Sequence, residues 1–306
     1  MRQPAAAKEK GKDSMFSIIG ILVVFGAVVG GYLMEKGNIK VLLQPAELLI
    51  IGGAALGTIL VANPPTVLKG ILGGLKSVFG SSKYGKPLYV DTLKAIFNVM
   101  QKARKKGLTE LESDVENPSK SELFKKWDHH LRDFVCDTLR MAMSGGASPF
   151  ELDQMMELDM DVHHHYSQQP VNALTTVADS LPGLGIVAAV LGVVITMGAL
   201  GGPPEEIGHK VAAALVGTFL GILLCYGLLG PMASRMGKSA DEEGHFYHVV
   251  RVAIISFLKG SSPLIAIEFA RRAVPGHVRP SFQELENACK GKGAPVAAPE
   301  APAPAA

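Results

Sequence analysis

Four long apolar segments separated by polar stretches dominate the pattern of hydrophobic positions along the chain. Residues 15–34, 180–202 and 211–234 contain no Asp, Glu, Lys or Arg, and residues 41–62 contain only Glu47. A helix of about 20 apolar residues crosses the hydrocarbon core of a bilayer. Each segment is therefore predicted to be a transmembrane helix, named span one to span four in chain order. The predicted fold class is an all-α polytopic membrane protein with a large cytoplasmic helical lobe.

The long polar interval between spans two and three has the periodicity of amphipathic helices. Within 91–106 the apolar residues recur at i, i+3, i+4 and i+7: Leu93, Ile96, Phe97, Met100 and Ala103. A serine followed three residues later by glutamate is the capping-box pattern of a helix start, and it predicts two later starts, at Ser119 with Glu122 and at Ser148 with Glu151. A packing face is predicted next, from Phe124, Trp127, Leu131, Phe134 and Val135.

Charge and composition predict the organisation and the orientation of the chain. The predicted parts are a basic N-terminal arm (1–14), transmembrane helices one and two (15–62), a cytoplasmic helical lobe (63–179), transmembrane helices three and four (180–234), a C-terminal cytoplasmic helical segment (235–293) and a disordered Ala/Pro-rich tail (294–306). Lys and Arg concentrate in the arm and the lobe, whereas the two short hairpins hold few. The positive-inside rule then predicts a bacterial inner-membrane protein with both termini in the cytoplasm.

Other chemistry is sparse in this sequence. A net charge of +2 gives no reason to expect nucleic acid as a partner. Cys136, Cys225 and Cys289 lack metal-ligand spacing, and neither a Gly-rich phosphate loop nor a Ser/His/Asp constellation occurs. Consecutive helical residues point in different directions, so the histidines at 163–165 are predicted to lie on the surface rather than to share a metal. The sequence predicts no enzyme and no cofactor.

Small residues and prolines mark the spans. Glycine allows close approach of helices in lipid, and it recurs in spans two and three at Gly52, Gly53, Gly57, Gly183, Gly185 and Gly192. Pro182 and Pro231 each remove an amide and free the carbonyl four residues earlier, so both helices are predicted to bend there. The residues alone leave open whether each bend is a hinge or a static kink.

Spans three and four contain no carboxylate that could carry an ion. Their hydroxyls include Thr196 and Thr218. Glu47 is the one embedded acid, and its place near the outer end of span two favours an interfacial or packing role. If the protein handles an ion gradient, a partner is expected to supply the carboxylate.

Several segments together resemble the landmarks of the MotA/PomA family of flagellar stator proteins, in the expected order from about Met15 to about Glu286: QPAELLIIGGAALG, RKKGLTELESDVENP, DSLPGLGIVAAVLGVV, VGTFLGILLCYG and RPSFQELE. The resemblance implies a pentameric ring of this chain around a dimeric, single-span MotB-like partner that bears the ion-carrying aspartate. Torque on the rotor protein FliG is the implied output.

The resemblance also assigns roles to particular positions. Arg104 and Glu112 occupy the places of the charged pair that engages the rotor, and Asp159 falls near a further acidic position with a weaker match. The residues alone favour a solvated surface for Arg104 and Glu112. Membrane lipid is a further expected contact.

Four positions in spans three and four acquire roles in the same way. Pro182 and Pro231 match the two functional prolines of the family, which favours the hinge. Thr218 matches a threonine that lines the ion path, and Ala189 stands where sodium-driven members carry a second threonine. One hydroxyl fewer makes dehydrated sodium harder to coordinate, so the translocated ion is expected to be H+.

Three alternatives compete with the stator. An ExbB/TolQ-like proton-driven energiser of outer-membrane processes shares the last two spans, but such proteins have one span before the large loop where this chain has two. A self-contained transporter would need Glu47 as its carboxylate. A structural scaffold would tolerate replacement of Pro182 and Pro231 together.

Overall fold

The computed structural model describes residues 12–125, 127–198 and 200–290. Most of the predicted basic arm, all of the predicted tail and the last residues of the C-terminal segment lie outside the described residues. Those that are described form helices joined by short turns, with no strand among them.

The helices follow the chain as α1 (Lys12–Met34), α2 (Ile39–Leu42), α3 (Pro45–Ala62), α4 (Pro65–Val78), α5 (Lys86–Lys106), α6 (Glu112–Glu116), α7 (His129–Ser144), α8 (Pro149–Met197), α9 (Pro204–Leu224), α10 (Gly230–Leu258), α11 (Pro263–Ala273) and α12 (Phe282–Lys290). A 3₁₀ turn, Leu108–Leu111, joins α5 to α6. A π-helical turn, Cys225–Leu229, joins α9 to α10.

The described chain has 4 helical stretches long and apolar enough to cross a membrane: Met15–Met34, Ile39–Ala62, Pro149–Met197 and Pro204–Leu258. The first, second and fourth contain spans one, two and four. The third contains span three only as far as Met197, so the predicted end of span three at residue 202 was too late. The predicted all-α polytopic fold is confirmed. Span three is not a separate helix. It is the apolar end of α8, which begins with a polar stretch.

The chain divides into two compact units. We call the first the span unit, Met1–Ser82 with His165–Ala240, and the second the lobe unit, Lys83–His164 with Asp241–Ala306. The predicted stripe of α5 is buried in the core of the lobe unit, which confirms the helical periodicity. Of the predicted face that follows, Trp127 is partly buried and the other members are fully buried: Phe124, Leu131, Phe134 and Val135.

One of the two predicted capping boxes is present. The Ser148 amide donates to Glu151 Oε2 at 2.7 Å, and the Glu151 amide donates to Ser148 Oγ at 3.3 Å, at the start of α8. The prediction at Ser119 with Glu122 is wrong, because Ser119 lies in a turn and the next helix begins at His129. Asp128 caps that helix, since its carboxylate accepts from the Leu131 amide at 2.8 Å.

Candidate functional site

Spans three and four pack backbone to backbone through glycines. A Cβ atom at position 185 would lie 2.8 Å from the Gly217 carbonyl oxygen, and one at position 221 would lie 2.5 Å from the Leu181 carbonyl oxygen. Further along span three, a Cβ at position 192 would lie 2.6 Å from the Ala214 Cβ of span four. Only glycine permits these approaches. The contact glycines of span four were missed in the sequence, although their i, i+4 spacing is the small-residue signal of a helix contact.

The other predicted contact glycines have free space around them within a single chain. Nothing lies within 4 Å of a Cβ built at Gly52, Gly53, Gly57 or Gly183. Of the glycines singled out in the sequence, only Gly185 and Gly192 therefore lie at a close helix contact among the described residues.

The two span hydroxyls differ in what they bind. Thr196 is buried, and its hydroxyl donates to the Gly192 carbonyl of the same helix at 2.8 Å. Thr218 is half-buried, and its hydroxyl forms no hydrogen bond within the part of the chain that the structure describes. The Thr218 Cα lies 3.3 Å from a Cβ built at Gly185, so this threonine sits on the contact between the spans. Ala189 is half-buried and lies one helical turn beyond Gly185 on the same face of span three.

The backbone hydrogen bonding of span four changes just before Pro231. The Gly230 amide donates to the Cys225 carbonyl, five residues earlier, within the π-helical turn Cys225–Leu229. Proline has no amide to donate to Gly227, and a π turn inside a helix is a common accommodation of such a gap. By contrast, Pro182 lies inside the continuous α-helix α8, as does Pro170, which the sequence analysis did not single out. The bends themselves stay a prediction.

Glu47 is buried in the span unit, at 7% exposure. Its Oε2 atom has no hydrogen-bond partner among the described residues, and it would lie 2.6 Å from a Cβ at Gly217. The Ala188 Cβ would lie 3.1 Å from the same point. The carboxyl group therefore packs against the contact between spans three and four, beside Gly217 of span four, the helix that also carries Thr218. This contact agrees with a packing role.

Arg104 and Glu112 are exposed in the lobe unit, and neither side chain forms an ion pair or hydrogen bond with the described residues. Two nearby lysines on α5 are paired. Lys102 Nζ lies 2.6 Å from Asp114 Oδ2, and Lys106 Nζ lies 2.9 Å from Glu110 Oε1. Arg104 and Glu112, like the adjacent Lys105, therefore remain available for another molecule.

The acidic turn that carries Glu112 is held from both sides. Burial alone would raise the pKa of Asp114, but hydrogen bonds from Lys102 and Ser121 and the charge of Lys102 outweigh burial and lower it. On the other side, the Arg140 guanidinium donates to the Val115 carbonyl at 3.0 Å. These contacts restrain the backbone next to an exposed carboxylate.

Two further predicted positions also lie in the lobe unit. Asp159 is exposed on α8. Of the histidines at 163–165, His165 is exposed as predicted, but the surface prediction is wrong for His163, which is half-buried: its ring centroid lies 5.0 Å from that of His130 and 5.1 Å from that of Tyr247. Its Nε2 lies 3.6 Å from a carboxylate oxygen of Glu243, and this acidic neighbour raises the pKa of the imidazole. Tertiary packing against α7 and α10 buries this histidine.

Two protein-family models match the sequence. Residues 18–107 match the model described as Motility protein A N-terminal, and residues 126–247 match the model described as the MotA/TolQ/ExbB proton channel family. Motility protein A of Escherichia coli is 43% identical over 277 residues, covering 89% of this chain and 94% of that protein. Chemotaxis protein LafT of Vibrio parahaemolyticus is 34% identical over 277 residues, covering 89% of this chain and 97% of that protein.

Two solved structures share the fold. The structure of C. jejuni MotAB matches with a TM-score of 0.71 at 20% sequence identity, covering 87% of this chain and 98% of that one. The structure of the flagellar MotAB stator complex from Bacillus subtilis matches with a TM-score of 0.68 at 24% identity, covering 88% and 97%. These matches extend over both units.

Proposed function

The chain belongs to the MotA family, and from that premise we propose that it is the ring-forming subunit of a flagellar stator that couples ion flow to torque on the rotor protein FliG. The observation that carries the proposal is the contact between spans three and four, which contribute no charged residue and pack through glycine, with a π turn in span four before Pro231. Such a pair can form the wall of an ion path without binding the ion itself.

The ion-carrying carboxylate is assigned to a single-span MotB-like partner. Spans three and four contain no Asp, Glu, Lys or Arg, and Glu47 faces Gly217 and Ala188. The free hydroxyl of Thr218 supports its assignment to the lining of the path. With Ala189 in place of a second hydroxyl, the wall provides one oxygen donor where sodium-driven relatives provide two, which favours protons. The matching MotA/TolQ/ExbB model is described as a proton channel family.

Movement is assigned to the two prolines. Protonation and release at the partner's aspartate change the contacts of the helices that carry Pro182 and Pro231, and the ring of identical chains, a pentamer, steps around the partner. A π turn is a less regular segment than the α-helix on either side, which supports Pro231 as the position that yields. No catalytic residue and no cofactor are assigned.

The rotor contact is assigned to Arg104 and Glu112, with Asp159 as a further acidic contact. Arg104 and Glu112 are exposed and unpaired among the described residues, which supports their assignment to the rotor contact. The nearby Lys102 and Asp114, by contrast, engage each other at 2.6 Å. The protein is placed in the bacterial inner membrane with both termini and the lobe unit in the cytoplasm, where the rotor is accessible.

Rotation of tethered cells tests the function. Cells that lack their own stator receive this chain with its single-span partner, and the proton and sodium gradients are collapsed separately. We expect rotation that needs both chains and stops only when the proton gradient is lost. Stable insertion of both chains without rotation would contradict the stator and favour the ExbB/TolQ-like energiser, to be assayed by outer-membrane transport.

A charge reversal tests the rotor contact. Arg104→Glu is expected to abolish rotation while the chain still assembles in the membrane, and an opposite reversal on the rotor protein is expected to restore it. Lys105→Glu is the matched control, because Lys105 is adjacent, exposed and without an ion pair among the described residues. Equal losses from both reversals would show a general effect of basic charge instead.

A further inference from the structure

Helix α4 (Pro65–Val78) presents one buried face to the rest of the span unit. Val67, Ile71 and Val78 belong to a core cluster with residues of α8 and α10. Two glycines on this face allow close packing: a Cβ at Gly70 would lie 2.5 Å from Pro170 Cγ, and a Cβ at Gly74 would lie 2.2 Å from Met236 Cε. The orientation of α4 about its own axis is therefore set by tight contacts.

The opposite face of α4 is exposed and alternates basic with apolar side chains. The stripe runs at helical spacing through Pro65, Lys69, Leu72 and Lys76, and Phe79, the residue directly after the helix, continues it. Leu72 is 63% exposed and Phe79 is 43% exposed. Neither lysine forms an ion pair with any residue that the structure describes.

The position of α4 in the span unit places this stripe at the edge of the apolar region. The helix begins just after α3 ends at Ala62, the last residue of span two. Its buried face packs on Val171 and Leu174 of α8 and on Met232 and Met236 of α10. These positions lie shortly before the charge-free stretch of span three and at the end of that of span four.

We propose that this stripe of α4 is a binding surface for anionic phospholipids of the cytoplasmic leaflet. Leu72 and Phe79 enter the acyl region, and the ammonium groups of Lys69 and Lys76 contact headgroup phosphates. The inference rests on the orientation given under the proposed function, because it puts the end of span two on the cytoplasmic side.

The chemistry of the stripe favours lipid over a protein partner. Lysine side chains lay their alkyl stems along apolar surface and carry the ammonium group to the polar boundary, so alternating Lys and apolar residues match the depth profile of a leaflet. Protein interfaces are depleted in lysine at their centre. Two unpaired positive charges next to exposed leucine and phenylalanine therefore fit acyl chains below anionic headgroups.

Fluorescence quenching by brominated phospholipid tests the contact. The full chain, co-expressed with its partner and reconstituted in vesicles, receives Leu72→Trp in a Trp127→Phe background, which leaves one tryptophan in this chain. We expect strong quenching at position 72. Leu60→Trp in span two, at a site 65% exposed, is the positive control, and native Trp127 in the lobe unit is the negative control. An unquenched Trp at position 72 would show that protein covers the face, and would overturn the proposal.

Headgroup preference is measured with the same reporter. Two vesicle mixtures are compared: brominated phosphatidylglycerol diluted into phosphatidylcholine, and brominated phosphatidylcholine diluted into phosphatidylglycerol. The first is expected to quench more, because each lysine should raise the binding of the anionic lipid relative to the neutral lipid by about fivefold. Lys69→Gln with Lys76→Gln should remove the preference. Lys105→Gln with Lys120→Gln, which removes equal charge from exposed sites of the lobe unit, should leave it unchanged. Quenching without headgroup preference would overturn anionic recognition.

The result can be separated from that of the proposed function. Loss of the lipid preference is read in vesicles without a rotor, whereas the stator is tested by rotation of cells. Rotation with no quenching at position 72 would refute the lipid surface alone, and quenching with no rotation would refute the stator alone.

Discussion

Replacing Gly221 by alanine is expected to force spans three and four apart. The new Cβ would lie 2.5 Å from the Leu181 carbonyl oxygen and 3.0 Å from the Gly185 Cα. Both are backbone atoms, so no side chain can rotate away to make room. The overlap is relieved only by movement of one helix against the other, at the contact that also includes Thr218.

The expected cost follows from two opposing effects. Adding a methyl group to a packed interior typically costs about 1–3 kcal/mol. The greater helix propensity of alanine returns up to about 1 kcal/mol. Because the clash is with backbone, we expect a net loss of about 1–2 kcal/mol in the free energy of unfolding of the span unit. For a unit of this size the melting temperature should fall by about 2–8 °C.

Thiol reactivity during heating measures this unit by itself. Cys225 is 2% exposed in the span unit, whereas Cys136 and Cys289 belong to the lobe unit. In a Cys136→Ala, Cys289→Ala background, Cys225 is the reporter thiol of the chain. A maleimide dye that becomes fluorescent on reaction then reports when the spans separate.

A second glycine provides the control. Nothing lies within 4 Å of a Cβ built at Gly52, so Gly52→Ala should leave the melting temperature of the isolated chain unchanged or slightly raise it. A Gly221→Ala protein that melts at or above the temperature of the parent would refute the backbone contact between spans three and four.

Three other outcomes are expected. Hydrogen bonds from Arg271 and Arg272 lower the pKa of Glu268 to about 2. The contribution of this carboxylate to lobe stability is therefore present above the unfolded pKa of about 4.3 and lost as pH falls toward 2. Glu268→Gln should weaken this pH dependence in melts followed by Trp127 fluorescence. Asp114→Ala loses the bond from Lys102 and should destabilise the lobe unit by about 1–3 kcal/mol in the same melts at neutral pH, unlike exposed Asp159→Ala. Pro231→Ala restores a backbone donor and should leave membrane assembly intact while tethered cells lose torque.

Local patterns in the sequence were sufficient for the architecture. Long charge-free runs determine which stretches can cross a membrane, since the cost of an embedded charge depends on the residue itself. The same is true of the amphipathic stripe of α5 and of the Ser148 capping box, because both involve residues within about three turns of each other. The positions of Pro182 and Pro231 can likewise be read directly along the chain, and so can the near absence of Asp and Glu from the four spans.

Contacts between distant segments could not be found in this way. Gly185 and Gly221 meet because two spans pack together, and among many similar glycines the sequence does not indicate which ones face a neighbour. His163 was assigned to the surface from its own polar helix, yet α7 and α10 bury it. Likewise, the availability of Arg104 and Glu112 depends on how their neighbours pair. Burial, pairing and close approach are properties of separate segments brought together in space, and they become visible only after the chain has folded.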